Sequence, residues 1–140
     1  MTRLLIAVAI AGGVSLLAVL FKSVSAAQVV SVKRNALPTR IPASEVGLEV
    51  GPAVIVFTES SCDSCQTAVR LVRGPAGAGI RVADIEYGAE PELHKKFAID
   101  TVPTTLVVDS EGNVLAGWTG RVDLSQFTTA LAELGQSDSD

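Results

Sequence analysis

The sequence predicts an α/β domain with a mixed β-sheet flanked by helices, preceded by one transmembrane helix. An apolar run of 18 residues, Leu4–Phe21, stands near the start of the chain. After Pro52, short β-branched runs alternate with segments of helical period, which is typical of a sheet covered by helices. Two last runs, Thr104–Val108 and Val114–Trp118, are separated by a turn sequence and predict a hairpin that makes the sheet mixed.

The run Leu4–Phe21 predicts a membrane anchor over residues 1–22. Arg3 precedes the run, Lys22 follows it, and its length suffices for a hydrocarbon core of about 30 Å. Ser25-Ala26-Ala27 supplies the small residues that signal-peptide cleavage needs, so a cleaved, secreted form is the alternative. We favour the anchor because the run exceeds the ~7–15 apolar residues of a typical signal peptide. The Lys and Arg count near the two ends slightly favours a cytoplasmic domain. The very short N-terminus before a signal-like segment favours export, and we expect an extracytoplasmic domain.

Residues 23–52 read as a stalk, because prolines and glycines are scattered among polar residues without a sustained period. A short strand at Val29–Val32 or one helical turn at Ala43–Val46 is compatible with this segment. After Gln28, nine basic residues stand against 15 acidic ones, a net charge of −6. No stretch interleaves basic and aromatic residues, so we expect no nucleic-acid partner.

The domain is predicted over residues 53–135, beginning with a buried strand at Ala53–Phe57. Glu59-Ser60-Ser61 follows, with serines able to cap a helix. The next helix has one face that recurs at spacings of three and four, and Gly74-Pro75 is expected to end it. The residues of that face are Cys62, Cys65, Val69 and Val72.

The following elements are a strand at Ile80–Ile85 and a helix that Pro91 opens, with Leu93 and Phe97 on its buried side. His94 is expected at a solvated flank of this helix. The last helix begins with a capping box formed by Asp123 and Gln126. Its apolar side chains recur at helical spacing, at Leu124, Phe127, Leu131 and Leu134. The polar residues 136–140 are predicted to form a disordered tail.

The two cysteines carry the chemistry. Cys62 and Cys65 are too few for a disulfide framework and are either a redox pair or part of a metal site. On one helix their Cβ atoms lie ~5–6 Å apart, so a small adjustment closes a disulfide. Such a short loop gains little stability from a disulfide, which favours exchange chemistry. The metal alternative is a copper or zinc chaperone module that uses Cys62, Cys65 and His94.

Position along the helix assigns the two roles. Cys62 stands at the helix N-terminus, where unpaired N–H groups and the helix dipole favour a thiolate, so it is predicted to be the nucleophile. Cys65 lies one turn further in and is predicted to be the buried, resolving cysteine. Asp63 opposes ionisation of Cys62 by charge repulsion and is expected to tune it. We therefore expect a reductant or a carrier of intermediate potential rather than a strong oxidant.

A strand, a C-x-x-C helix and a later Val102-Pro103-Thr104 before a strand together resemble the thioredoxin superfamily. The resemblance implies a thioredoxin-like, N-terminally truncated fold, with Pro103 in the cis form beside the cysteines. It also implies that Val102 and Gly120 flank a groove for an extended substrate segment. The implied activity is thiol–disulfide exchange with protein partners, fed by an upstream thiol donor, in a monomer without a cofactor other than the Cys62–Cys65 disulfide. The chain departs from thioredoxins in Asp63-Ser64 between the cysteines and in Val56, where they carry a buried aspartate.

Overall fold

A computed structural model of the chain describes residues 37–76 and 79–137, all within one compact unit. The predicted anchor Leu4–Phe21 and the strand considered at Val29–Val32 lie outside these residues. Every helix in the two described stretches is too short or too polar to cross a membrane.

Four strands form one mixed sheet in the order β2-β1-β3-β4. Strand β2 pairs parallel with β1, whereas β1 with β3 and β3 with β4 are antiparallel. A parallel pair needs a crossover, and the first helix supplies it. The strands are Ala53–Thr58 (β1), Arg81–Glu86 (β2), Thr104–Val108 (β3) and Val114–Thr119 (β4).

Three α-helices cover the two faces of the sheet. Their bounds are Asp63–Ala76 (α1), Pro91–Lys96 (α2) and Leu124–Ser137 (α3). Val54 and Val56 pack with apolar residues of α1 and α3 in one cluster, and Ile55 and Phe57 pack towards α2 in the other. Strand β1 is buried at all six positions because both of its faces are covered.

The predicted elements are present, with corrections at their ends. Helix α1 ends at Ala76, two residues past Gly74, which is within the one or two residues by which helix ends vary. Helix α3 extends into the predicted tail as far as Ser137. Leu124, expected on the buried face, is 52% exposed, since it is the first residue of α3 and projects beyond the cluster.

One of the two hydrogen bonds of the predicted capping box is present at the start of α3. The Gln126 backbone N–H donates to Asp123 Oδ1 at 2.9 Å, as a helix cap requires. The Gln126 side chain is used elsewhere, because its Oε1 accepts a hydrogen bond from Trp118 Nε1 at 3.2 Å. This bond ties α3 to the edge strand β4.

The stalk was predicted to extend to residue 52, but its second half belongs to the domain. The Ile41 side chain is fully buried, and its N–H donates to the Gly112 carbonyl at 2.7 Å. The Val114 N–H donates to the Thr39 carbonyl at 2.9 Å, so this segment is bound to the β3–β4 turn. A 3-10 helix at Ala43–Val46 fits the helical turn considered there. The boundary at Ala53 was placed too late because the three buried residues of this irregular segment, Ile41, Ala43 and Val46, recur at no regular period.

Gly112 makes this close approach feasible. Its φ is +84°, which L side chains rarely adopt, and an added Cβ would lie 2.7 Å from the Cα of Pro42.

Candidate active site

The loop that leaves β1 delivers Cys62 to the start of α1. The Cys62 N–H donates to the Glu59 carbonyl at 3.1 Å, and the Gln66 N–H donates to the Cys62 carbonyl at 3.4 Å. Cys62 therefore precedes the first helical residue, and Cys65 lies in the first turn. The two form a disulfide with their Cα atoms 5.3 Å apart, so the predicted pairing is present.

The two cysteines have different surroundings. Cys62 is partly exposed, whereas Cys65 is 1% exposed and lies on the helix face that also buries Val69 and Val72. The Cys65 backbone N–H donates to Cys62 Sγ at 3.1 Å, and Ser64 Oγ lies 3.3 Å from the same sulfur. Donors placed at a sulfur stabilise it as an anion. Cys62 Sγ, the more exposed of the two sulfurs, is therefore also the one that accepts a backbone hydrogen bond able to stabilise a thiolate.

The Val102–Pro103 peptide bond is cis, as the resemblance implied. The Gly120 N–H donates to the Pro103 carbonyl at 2.7 Å, so these two residues lie side by side. Antiparallel pairing sets Thr104 opposite Phe57, which brings the start of β3 beside the end of β1 from which the cysteine loop departs. Val102, Pro103 and Gly120, the residues assigned to the substrate groove, therefore lie at the same end of the sheet as the cysteine loop.

Two carboxylates hold the cysteine loop. Glu59 accepts hydrogen bonds from the hydroxyls of Ser61 and Ser60, and these bonds, Ser61 first, lower the pKa of Glu59. Glu86 accepts from the backbone N–H of Ser60 at 3.1 Å and of Ala89 at 2.8 Å. Backbone N–H groups, that of Gly88 foremost, lower the pKa of Glu86. The loop is thereby fastened to the end of β2.

A cavity of about 290 Å³ opens beside Cys65, and we name it the Cys65 cavity. Side chains that line it include Thr58, Glu59, Cys65, Arg70, Asp84 and Glu86. Asp84 and Glu86 were not singled out from the sequence. Their alternation with the buried Ala83 and Ile85 was a usable signal, because alternate residues of a strand share a face.

The metal alternative is not supported by this geometry. His94 was expected at a solvated flank, but it is 2% exposed. Its Nε2–H donates to the Ile85 carbonyl at 2.9 Å, and its ring meets the edges of Phe57 and Tyr87. Helix α2 packs on the face of the sheet opposite the one that α1 covers. This position explains why His94 is buried and why it is separated from the cysteines. In residues 37–76 and 79–137, no three His, Cys, Asp or Glu side chains are grouped to hold a metal ion.

Neither a protein-family model nor a curated protein matches this sequence. Solved structures do match it. Thioredoxin 1 from Thermosipho africanus TCF52B is 16% identical with a TM-score of 0.55, over 63% of this chain and 99% of that one. A mutant thioredoxin from Halobacterium salinarum NRC-1 is 19% identical with a TM-score of 0.55, over 64% and 80%. Trichomonas vaginalis thioredoxin is 17% identical with a TM-score of 0.54, over 65% and 86%. The described part of the chain therefore has a thioredoxin-like fold.

Proposed function

We propose that the protein is a thiol–disulfide oxidoreductase that reduces or exchanges disulfides in other proteins. The observation that carries the proposal is the disulfide at the start of α1, in which one sulfur is partly exposed and the other is buried. A structural disulfide across three residues would contribute little to stability. Thioredoxins among the similar structures support the same reaction class.

The reaction begins with the reduced pair. The Cys62 thiolate attacks a disulfide of the client, forms a mixed disulfide with one client sulfur and releases the other as a thiolate. Cys65 then loses its proton, and its thiolate attacks Cys62 Sγ. The Cys62–Cys65 disulfide forms, the bond from Cys62 to the client breaks, and the client leaves with two electrons. An upstream thiol donor regenerates the dithiol by the same steps in reverse.

The client segment is proposed to lie along Val102, Pro103 and Gly120. Pro103 is buried and Val102 is half-buried, so Val102 is the residue of the two that a client can reach. The Gly120 N–H donates to the Pro103 carbonyl, and this hydrogen bond holds the residue before β3 next to the residue after β4. A client chain held there would present its disulfide to the partly exposed Cys62.

We further propose that Leu4–Phe21 tethers the protein to a membrane with the redox domain outside the cytoplasm. The length of the apolar run, 18 residues, supports the tether. Alkaline phosphatase fused after Asp140 should be active in a bacterial host. An inactive fusion of full length would contradict export.

Reduction of insulin by dithiothreitol, followed as turbidity, tests the proposed activity. The wild-type protein should accelerate it, Cys62→Ser should abolish the acceleration, and Cys65→Ser should accumulate mixed disulfides that a thiol reductant cleaves. Ser44→Ala changes an exposed serine outside the cysteine loop; it is the control and should retain the activity. Acceleration that persists in Cys62→Ser would contradict the proposal.

A further inference from the structure

The substrate groove lies at an end of the sheet where the charge changes sign between the strands. Because the sheet order is β2-β1-β3-β4, Glu86 ends β2, Glu59 follows β1, and Arg121 stands two residues after β4, all at the same end. Asp63, exposed between the two cysteines, adds a carboxylate on the β1 side. Neighbouring strands lie about 4.8 Å apart, so about 10 Å separates the end of β1 from the end of β4, with the uncharged Pro103 between them.

The backbone holds Arg121 beside the groove. The Gly120 N–H donates to the Pro103 carbonyl at 2.7 Å, and Arg121 is the next residue along the chain. Gly120 has a φ of +82°, and a Cβ added to it would meet no atom within 4 Å, so the space beside this residue is open. A client segment in the groove therefore has room next to Gly120, one residue away from Arg121.

The Arg121 guanidinium is available to a client. Arg121 is exposed, and within residues 37–76 and 79–137 it has no hydrogen bond or ion pair. The nearest carboxylate along the chain is that of Asp123, whose Oδ1 accepts the backbone N–H of Gln126 at 2.9 Å. A guanidinium presents its N–H donors in a plane that matches a carboxylate. The charge that Arg121 can bind is therefore negative and comes from outside the described part of the chain.

We propose that Arg121 is a specificity-determining residue, which favours client segments with an acidic side chain within about three residues of the cysteine that Cys62 attacks. The span follows from the ~10 Å between the ends of β1 and β4 and from the ~3.3 Å rise of each residue in an extended chain. Glu59 and Asp63 repel an acidic client residue on their side of the groove, and so favour the orientation in which it lies beside Arg121. This inference rests on the proposed exchange activity and names a class of client for it.

Three synthetic peptides of nine residues serve as probes, each with one central cysteine and with blocked, uncharged ends. The first has glutamate two residues before the cysteine, the second has glutamate two residues after it, and the third has glutamine at both positions. Each peptide is supplied as its symmetric disulfide. The full-length protein, reduced and purified in a non-ionic detergent, is mixed with each one. Acid quenching, alkylation and mass spectrometry then measure the rate at which the protein is oxidised.

The wild-type protein should react with one of the two glutamate peptides about two- to fivefold faster than with the glutamine peptide, as expected for an exposed ion pair. Arg121→Gln should remove this preference, Arg121→Glu should reverse it, and Arg121→Lys should retain part of it. Raising NaCl from about 0.05 to 0.5 M should weaken the wild-type preference.

Arg73→Gln is the matched control. Arg73 is also exposed, but it lies in the last turn of α1, about 16 Å along the helix from Cys62. The same loss of charge at this position should leave the preference for the glutamate peptide unchanged.

The ratio of the rates for two peptides separates client selection from any change in the cysteines, because the same Cys62 reacts with both. The role of Arg121 would be overturned if neither glutamate peptide reacts faster than the glutamine peptide with the wild type. A preference that persists in Arg121→Gln, or that is lost equally in Arg73→Gln, would also overturn it. A wild-type protein that reduces none of the peptides would instead overturn the proposed function, and this inference with it.

Discussion

Replacing Ile41 with alanine tests whether residues 37–52 are a structural part of the redox domain. Ile41 is fully buried and packs in the same cluster as Ile55 and Phe57 of the central strand. Truncation of a buried isoleucine removes three carbons and leaves a cavity, which costs about 2–5 kcal/mol. We expect Ile41→Ala to lower the free energy of unfolding by about 3 kcal/mol, a large part of the 5–15 kcal/mol typical of a domain.

The chain offers a matched control in the same segment. Val50 is 81% exposed, so Val50→Ala should change stability by less than about 0.5 kcal/mol. Trp118 is the single tryptophan and packs against Phe127 on the opposite face of the sheet from Ile41, which makes its fluorescence a probe of the whole domain.

Urea unfolding of a chain beginning at Gln28, followed by this fluorescence, gives the two free energies. For a domain of about 100 residues, 3 kcal/mol corresponds to a loss of roughly 12–24 °C in Tm. If Ile41→Ala and Val50→Ala both unfold at the wild-type urea midpoint, residues 37–52 are a stalk after all and the packing argument fails.

Three further outcomes follow from the site. Asp63→Asn should raise the reduction potential of the pair, because it removes a negative charge beside the Cys62 thiolate; equilibration with glutathione measures this, and a lower or unchanged potential would contradict it. Pro103→Ala should leave a folded domain that exchanges disulfides with proteins more slowly, and stopped-flow kinetics in which neither the rate nor the stability changes would reduce Pro103 to an ordinary turn residue. Because hydrogen bonds depress the pKa of Glu86 in the folded state below its ordinary value of 4.5, its contribution to stability is present above about pH 4.5 and is lost as the pH falls through the lower folded value. Wild type should therefore be more stable than Glu86→Gln at pH 7, and urea unfolding should show the difference shrinking towards pH 3.

The sequence predicted the parts of the fold that periodicity and turn chemistry specify. Strand β3 has the predicted bounds, and β1 and α1 begin within one residue of prediction, since β-branched runs and helical spacing are local signals. The helix terminus also predicted which cysteine is the more exposed. The cis bond at Pro103 came from the family resemblance, because most X–Pro bonds are trans.

Features that depend on tertiary contacts were not predictable in this way. His94 lies in a helix of six residues, too short to define a buried face, and a carbonyl of another element satisfies its ring. The alternation of Asp84 and Glu86 with buried residues indicates that they share a face of β2, but the pairing of β2 with β1 that places this face beside Cys65 is a tertiary contact. Ile41 was missed because an irregular segment has no period, although its burial is complete.

The central claim is that Cys62 is the nucleophile and Cys65 the resolving cysteine. The relative reactivity of the two thiols tests this claim most directly. The reduced protein is treated with a substoichiometric amount of iodoacetamide at pH 7, and the labelled cysteine is identified by mass spectrometry of its peptides. The partly exposed Cys62, which receives the Cys65 backbone N–H, should carry nearly all of the label. Equal labelling, or faster labelling of Cys65, would contradict the assignment of Cys62 as the nucleophile.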